Sequence, residues 1–268
     1  MSALTMRLHR LARRCVHTST DDTRQLLREL LRETAQSVAV VTALLPHRLS
    51  TSASTSTYHG ATLSSFSSIA LEPLPLVAFS LRVPSRMASA LNVHVAAPSS
   101  STSSTPVHFV INILSAAQPH LADRFARPDL HPRPFADPSV HWTPSQDGLP
   151  VLSGALGALS CHLVGPSLPL AHLGAGASGI CAFNAGSYSR TFADAPVAEE
   201  EGRNGESDVP QASAGTGLAS ELFIARVLRV ERVPLPGDSE RDSELYKLPL
   251  LYHRRRYTTV GNRSHTDP

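Results

Sequence analysis

The sequence predicts a mainly β fold, an antiparallel barrel or sandwich with flanking helices. Five short apolar runs have the length of strands, and turn residues separate them. The strand-like runs outnumber the helical ones, which argues against a doubly wound parallel sheet. At 268 residues, the chain has the length of one domain with insertions or of two small domains. The predicted strands are residues 37–45, 74–83, 107–114, 156–164 and 222–233.

The first predicted element is an amphipathic helix over residues 21–36. Asp21 or Asp22 can cap its N-terminus with a side-chain oxygen. Between the arginines of the polar face, apolar residues recur at the spacing of one helix face. This apolar stripe consists of Leu26, Leu27, Leu30 and Leu31.

Residues 1–20 differ in composition from the rest of the chain. They contain four arginines and no acidic residue, and they end in hydroxylated residues. Leu4, Leu8 and Leu11 recur at helical spacing. This composition is typical of an organelle transit peptide, so we predict a mitochondrial presequence and a location in the matrix. The alternative is a frayed terminus in an arginine-rich proteome.

Three stretches carry too few apolar residues to order themselves, and we predict long disordered insertions there. They are residues 46–58, 96–106 and 185–220. The insertions lengthen a single predicted domain, residues 21–260, which a short tail of residues 261–268 follows.

Composition and missing motifs exclude several classes of protein. A formal net charge of +2 and 5% aromatic residues do not suit a nucleic-acid binder. No run approaches the roughly 20 apolar residues of a membrane-spanning helix. The three cysteines form no CxxC pair, and no HExxH, GxSxG, GxGxxG or GxxxxGK[ST] motif occurs. We therefore predict no metal site and no hydrolase, P-loop or Rossmann enzyme.

Residues 60–71, GATLSSFSSIAL, concentrate hydroxyl side chains beside apolar strands. Hydroxyl and backbone N–H donors, with Gly60 leaving the backbone approachable, suit an anion such as a phosphate. The alternative is a serine-rich strand that faces water. The five hydroxyls belong to Thr62, Ser64, Ser65, Ser67 and Ser68.

The order of segments along the chain resembles that of the flavin reductase family, whose domain is an FMN-binding split barrel. The segments are SVAVVTA, GATLSSFSSIALEPLPLVAFSL, PSRMASAL, FVINIL, LADRFA, DGLPVLSGALGALSCHLV and PLLYHRRRY. The resemblance implies an antiparallel Greek-key split barrel that forms a homodimer, with FMN near the subunit interface. Because the family supplies reductase components of two-component monooxygenases, it also implies a monooxygenase as partner.

The resemblance further implies which residues bind the flavin. Arg86 would contact the FMN phosphate in a turn where Met87 replaces the family's usual threonine. The C-terminal L-Y-H-x-x-x-Y pattern contributes a histidine and a tyrosine. The implied cofactor-binding residues are Thr62, Ser64, Ser65, Ser68, Ser85, Arg86, Asn112, Phe125, His253 and Tyr257.

The implied reaction is hydride transfer from NAD(P)H to flavin. Both reacting atoms belong to cofactors, so we expect no catalytic side chain. Ser220 stands where family members commonly carry the histidine of a Gly-Asp-His motif, on the nicotinamide side of the site. Two alternatives therefore remain: a flavin-binding split-barrel protein without reductase activity, with an interaction or assembly role, and a hydroxyl-rich β-barrel binding module without flavin.

Overall fold

The computed structural model describes residues 20–46, 58–96, 105–171, 219–233 and 243–261. The helices are α1 Thr20–Arg32, α2 Arg86–Ala96, α3 Pro119–Ala126 and α4 Ser243–Lys247, with a 3-10 turn at Pro134–Ala136. The strands are β1 Gln36–Ser37, β2 Ala39–Leu44, β3 Tyr58–Leu63, β4 Ser67–Ala70, β5 Leu76–Val83, β6 Phe109–Ile113, β7 Trp142–Pro144, β8 Pro150–Leu152, β9 Gly157–Leu163, β10 Leu168–Pro169, β11 Ala219–Glu231, β12 Leu251–His253 and β13 Arg256–Thr258.

One sheet of eight strands dominates the molecule. Its order is β3-β2-β6-β9-β11-β5-β4, and β10 pairs with β11 beside this path. All of these pairs are antiparallel. A small sheet of β1, β12 and β13 and a β7–β8 ladder lie outside it. The predicted mainly β, antiparallel split-barrel fold is confirmed.

The hydroxyl-rich segment closes the half-barrel. β3 and β4 are the two ends of the strand order, yet only residues 64–66 separate them along the chain. β3 pairs with β2, β4 pairs with β5, and β3 also contacts β5. The chain therefore passes from one sheet edge to the other within three residues, which requires the sheet to curl.

The barrel interior is filled by three phenylalanines from different strands. Phe79 stacks on Phe223 with ring centroids 5.4 Å apart and meets Phe109 edge-on at 5.5 Å. Inward and outward residues alternate along β5, as a half-buried strand requires. Met87 and Leu91 bring α2 onto this core. A second cluster lies beneath α3 and includes Val38, Leu121, Phe125, Leu152 and Leu250.

Several predicted boundaries were wrong by a few residues. The first helix ends at Arg32, because Gln36 pairs with Tyr252 and so belongs to β1. Tyr58, predicted as the end of an insertion, begins β3; its hydroxyl donates to the Gly148 carbonyl at 2.9 Å. Its ring also packs on two other aromatic residues, so this end of the strand is anchored.

Ser220, predicted as the end of the third insertion, lies within β11. The interiors of the three predicted insertions, residues 1–19 of the predicted presequence and residues 262–268 of the predicted tail lie outside the described residues. Among the described helices, none has the length and apolar character needed to span a membrane. Within the same ranges, no group of three histidine, cysteine or acidic side chains is placed to hold a metal ion.

Candidate flavin site

The serines of the predicted hydroxyl block lie at the surface where the chain crosses between the sheet edges. Ser64, Ser65 and Ser68 are all exposed. The Ser65 hydroxyl oxygen accepts a hydrogen bond from the Ser80 backbone N–H at 2.9 Å and lies 3.0 Å from the Ser80 hydroxyl. Ser65 thus fastens the crossing to β5, while the other two hydroxyls are available to a ligand.

Thr62 has a different environment from these serines. Its hydroxyl donates to the Ala122 carbonyl at 2.6 Å, which joins β3 to α3. Because the hydrogen is used there, the Thr62 hydroxyl can offer a ligand only its acceptor lone pairs. If Thr62 binds the cofactor as predicted, it must therefore accept a hydrogen bond from a donor group of the ligand.

The predicted phosphate turn is the N-terminus of α2. Ser85 caps this helix: its hydroxyl accepts the Ala88 N–H at 3.1 Å, and its carbonyl accepts the Ser89 N–H at 3.1 Å. Arg86 follows as the first helical residue and is exposed. Met87 is 1% exposed and belongs to the barrel core, so this position contributes packing instead of a hydroxyl.

The positive charge of Arg86 is felt by a buried neighbour. His59, on β3, is 5% exposed, and its pKa is lowered to about 4 by burial and by the charge of Arg86. None of the ion pairs found among the described residues includes Arg86. An uncompensated guanidinium at a helix N-terminus suits a phosphate dianion, because the helix dipole and the side chain attract the same charge.

Phe125 and Tyr257 lie around α3. Phe125 is buried, and its ring covers Gly60 of β3. Tyr257 packs against the same cluster and is half-buried. Burial raises the pKa of the Tyr257 phenol, and the negative charge of Asp123 makes a smaller contribution in the same direction. The Phe125 ring therefore supports β3, the strand that leads into the hydroxyl segment, whereas Tyr257 adds to the packing beneath α3.

Asn112 has no exposed surface. Its side-chain NH₂ donates to the Val40 carbonyl at 3.3 Å and to the Thr42 hydroxyl at 3.2 Å, and its carbonyl oxygen accepts the Leu152 N–H at 2.8 Å. The amide is thus bonded to protein at both ends. This geometry gives Asn112 the role of joining β2, β6 and β8, and leaves it no surface for direct contact with a flavin.

The comparisons with known proteins identify the family of this chain. The Flavin reductase like domain family matches residues 31–261. The chain belongs to this family. A comparison with curated protein sequences gave no match.

Several solved structures share the fold of this flavin reductase family member. A homologue of nitrilotriacetate monooxygenase component B from Mycobacterium thermoresistibile is 18% identical, with 93% of each chain covered and a TM-score of 0.54. A flavin reductase domain protein from Arthrobacter is 17% identical, covering 91% of this chain and 99% of its own, with a TM-score of 0.51. The NADH:FAD oxidoreductase SgcE6 of Streptomyces globisporus is 18% identical, covering 93% and 99%, with a TM-score of 0.50. Family membership supports the predicted class of flavin oxidoreductase.

The L-Y-H-x-x-x-Y pattern near the C-terminus forms a β-hairpin. His253 ends β12 and Tyr257 lies on β13, with Arg254 and Arg255 at positive φ in the turn between them. β12 pairs with β1 and β13, so His253 belongs to the small sheet and not to the strands that carry the hydroxyls.

Ser220, where the resemblance implies the histidine of a Gly-Asp-His motif, lies at the start of β11. Ser220 pairs in register with Arg82 of β5, an exposed residue. The next residue, Glu221, accepts hydrogen bonds from the Asn92 side chain at 2.9 Å and from the Ser167 hydroxyl at 2.8 Å. Sequence reasoning missed this carboxylate network, because Asn92 and Glu221 lie 129 residues apart and no motif links them.

Proposed function

We propose that this family member is an FMN-binding flavin reductase that transfers hydride from NAD(P)H to FMN. One observation carries the choice of a phosphorylated flavin such as FMN: Arg86 presents an uncompensated positive charge at the N-terminus of α2, beside β3. A flavin that ends in a phosphate gains from this charge, whereas riboflavin does not. Family membership supports the class of reaction.

The described residues fit a flavin in the chemistry of their donors. Arg86 and the first turn of α2 would hold the phosphate. The exposed hydroxyls of Ser64 and Ser68 would bond the polar groups of the flavin, and Ser65 would keep the crossing in place through Ser80. When bound, the flavin supplies the hydride-accepting chemistry.

The chain's own task is to bind and orient the two cofactors, since close approach of the reacting atoms supplies much of the rate. No side chain has to act as nucleophile or base. SgcE6, whose structure contains NAD and FAD fragments, supports a nicotinamide nucleotide as the second ligand. On this chain the nicotinamide side would be bordered by Ser220 and Arg82, which are paired across β11 and β5.

The decisive experiment compares FMN with riboflavin on the Arg86→Gln variant. We expect FMN affinity to fall at least about tenfold, because a charge-assisted hydrogen bond is worth about 1.5–3 kcal/mol, while riboflavin affinity stays within about twofold. Arg133→Gln, a change at another exposed arginine, is the control. An equal loss for both ligands would remove Arg86 from the phosphate site.

A second candidate is a flavin-binding protein that does not reduce flavin. The serine at position 220 favours it, because a hydroxyl cannot stack on a nicotinamide ring as a histidine can. Oxidation of NADH or NADPH by the FMN-loaded protein separates the two candidates. A protein that shows no flavin absorbance once added FMN has been removed by gel filtration would support the binding module without flavin instead.

The cellular setting is also a proposal. The arginine-rich, acid-free residues 1–20 support import into the mitochondrial matrix.

The likeness to a homologue of a monooxygenase component supports a monooxygenase as recipient of the reduced flavin. The exposed apolar side chains of Ile69 on the edge strand β4 and of Leu71 just after it, 51% and 76% exposed, support a homodimer.

A further inference from the structure

Helix α1 stands apart from the body of the protein. Every described residue from 21 to 35 is exposed. The helix is joined to the rest near its C-terminal end, where the Arg254 N–H donates to the Arg32 carbonyl at 3.1 Å and the Arg254 guanidinium pairs with Glu33. Its apolar stripe consists of Leu26, Leu27, Leu30 and Leu31, which are 57%, 51%, 64% and 46% exposed.

Such a helix needs a partner. Helices shorter than about 12–15 residues are marginal in water, and α1 has 13 residues. Most helical stability in proteins comes from packing of the apolar face, and among the described residues nothing buries this face. A single exposed apolar residue is normal on a protein surface, but a contiguous stripe of four leucines indicates an interaction surface.

The charges on the two sides of the leucine stripe indicate which partner fits it. At 100° per residue, Arg24 and Arg28 lie next to the Leu31 edge of the stripe, whereas Asp22 and Glu29 lie next to the Leu26 edge. A two-fold axis parallel to the helix brings the basic edge of one copy against the acidic edge of the other. The helix is therefore self-complementary, as a closed two-fold interface requires.

A lipid surface fits these charges less well. Helices that lie on membranes carry a polar face rich in lysine and arginine. The polar face of α1 has three arginines but also acidic residues in its first turn and at positions 29 and 33. This mixed face gives little attraction to anionic lipid.

We propose that α1 packs in parallel against α1 of a second copy of this chain, with the four-leucine stripes facing each other. This rests on the homodimer proposed above and adds α1 to its interface. In this arrangement Leu27 and Leu30 occupy the central positions of a short two-stranded coiled coil. Leu26 of one copy then approaches the partner's Leu31.

The first test measures self-association of the full chain by analytical ultracentrifugation. We expect the dimer dissociation constant to rise at least about 100-fold in the Leu27→Gln/Leu30→Gln variant, a change of more than about 2.7 kcal/mol. Leu130→Gln, at a leucine exposed to 61%, should leave the constant unchanged. FMN affinity of the Arg86→Gln variant, in which α1 is unchanged, tests the proposed function separately. A monomeric wild-type chain, or an unchanged constant in the double variant, would overturn the proposal.

The second test traps the pairing. With Cys15 and Cys181 replaced by serine and the buried Cys161 kept, Leu27→Cys should form a disulfide with the partner's Cys at the same position on mild oxidation. Arg32→Cys, on the opposite face, should not. If the Leu27→Gln/Leu30→Gln variant weakens the dimer but the Leu27→Cys variant forms no cross-link, direct pairing of the two α1 helices is excluded. Binding to phosphatidylserine vesicles that the leucine variant loses, with an unchanged dimer constant, would show that α1 docks on lipid instead.

Discussion

Gly60 lies directly against the ring of Phe125, so closely that a Cβ on Gly60 would be 2.5 Å from both Cδ1 and Cε1 of the ring. Phe125 is 3% exposed and packs among the residues beneath α3. The glycine thus lets α3 approach β3, where the Thr62 hydroxyl completes the contact by donating to Ala122. The start of the hydroxyl block serves the fold as well as any ligand.

We predict that Gly60→Ala destabilises the protein by about 1–3 kcal/mol, because the buried ring has no free space to move into. Urea unfolding measures the change. Gly157→Ala is the matched control, since a Cβ there meets nothing within 4 Å. Adding Phe125→Leu to Gly60→Ala should cost less than adding it to the wild type. Additive effects of the two substitutions would contradict the contact.

Much of the fold can be predicted from the sequence because strands in the sheet are mostly apolar runs. β2 and β9 lie within the predicted ranges, since most residues of each strand are apolar. The position of Tyr58 could not be predicted, because its neighbours in sequence are serines and threonines and its anchors, Trp142 and Gly148, are more than 80 residues away.

The candidate site was predictable only through the order of its segments. The structure shows that the serines and Arg86 are exposed, while their contact with a flavin stays a prediction. The buried amide of Asn112 could not be foreseen as a structural link, because the sequence does not show which strands are neighbours. The exposure of the α1 leucines was equally hidden, since an amphipathic pattern looks the same whether its partner is the same chain or another.

For Asn112 we predict a structural phenotype. Asn112→Leu leaves the buried Leu152 N–H without an acceptor and the Thr42 hydroxyl without its donor, so the free energy of unfolding should fall by about 2–4 kcal/mol. Asn92→Leu, at a half-buried residue with one side-chain bond, should lose about 1 kcal/mol. FMN affinity of the folded Asn112 variant should be close to that of the wild type. A loss of affinity without a loss of stability would show direct contact.

His59 should make the protein less stable in acid. Its pKa is about 4 in the folded chain, against about 6.5 in the unfolded chain, so at pH 5 only the unfolded chain binds a proton there. The stabilising effect of the neutral ring is complete above pH 6.5 and is lost as the pH falls towards 4. At pH 5 the loss is on the order of 2 kcal/mol.

The measurement is urea unfolding at pH 7.5 and pH 5. In His59→Gln the free energy of unfolding should differ less between the two pH values than in the wild type. The difference that remains reflects groups such as His108, whose pKa is also lowered to about 4. His141→Gln, at an exposed histidine, should retain the full difference. If His59→Gln keeps the wild-type pH dependence, the buried ring is not its source.

The presequence proposal predicts a separable function for residues 1–19, which precede α1. A chain that lacks them should fold with an unchanged melting temperature and bind FMN normally, since it keeps every described strand and core residue. A fluorescent fusion of the full chain should enter mitochondria, and the shortened chain should stay outside. Import of the shortened fusion would place the targeting signal elsewhere.

The last prediction concerns position 220, which decides between reductase and flavin carrier. A stacking or hydrogen-bonding histidine is worth on the order of 1–2 kcal/mol, which is about tenfold in affinity. Its absence should raise the Michaelis constant for NAD(P)H without preventing hydride transfer, because the flavin performs the chemistry. We therefore expect weak but measurable oxidation of NAD(P)H.

Restoring the family's motif with Ala219→Asp and Ser220→His should lower the Michaelis constant about tenfold and leave FMN affinity unchanged. Arg82→Gln should raise it, because Arg82 is the cationic neighbour of Ser220 across the β5–β11 pair. If the FMN-loaded wild type and the restored variant both oxidise no NADH or NADPH at millimolar nucleotide, the reductase proposal fails and the flavin-binding candidate replaces it.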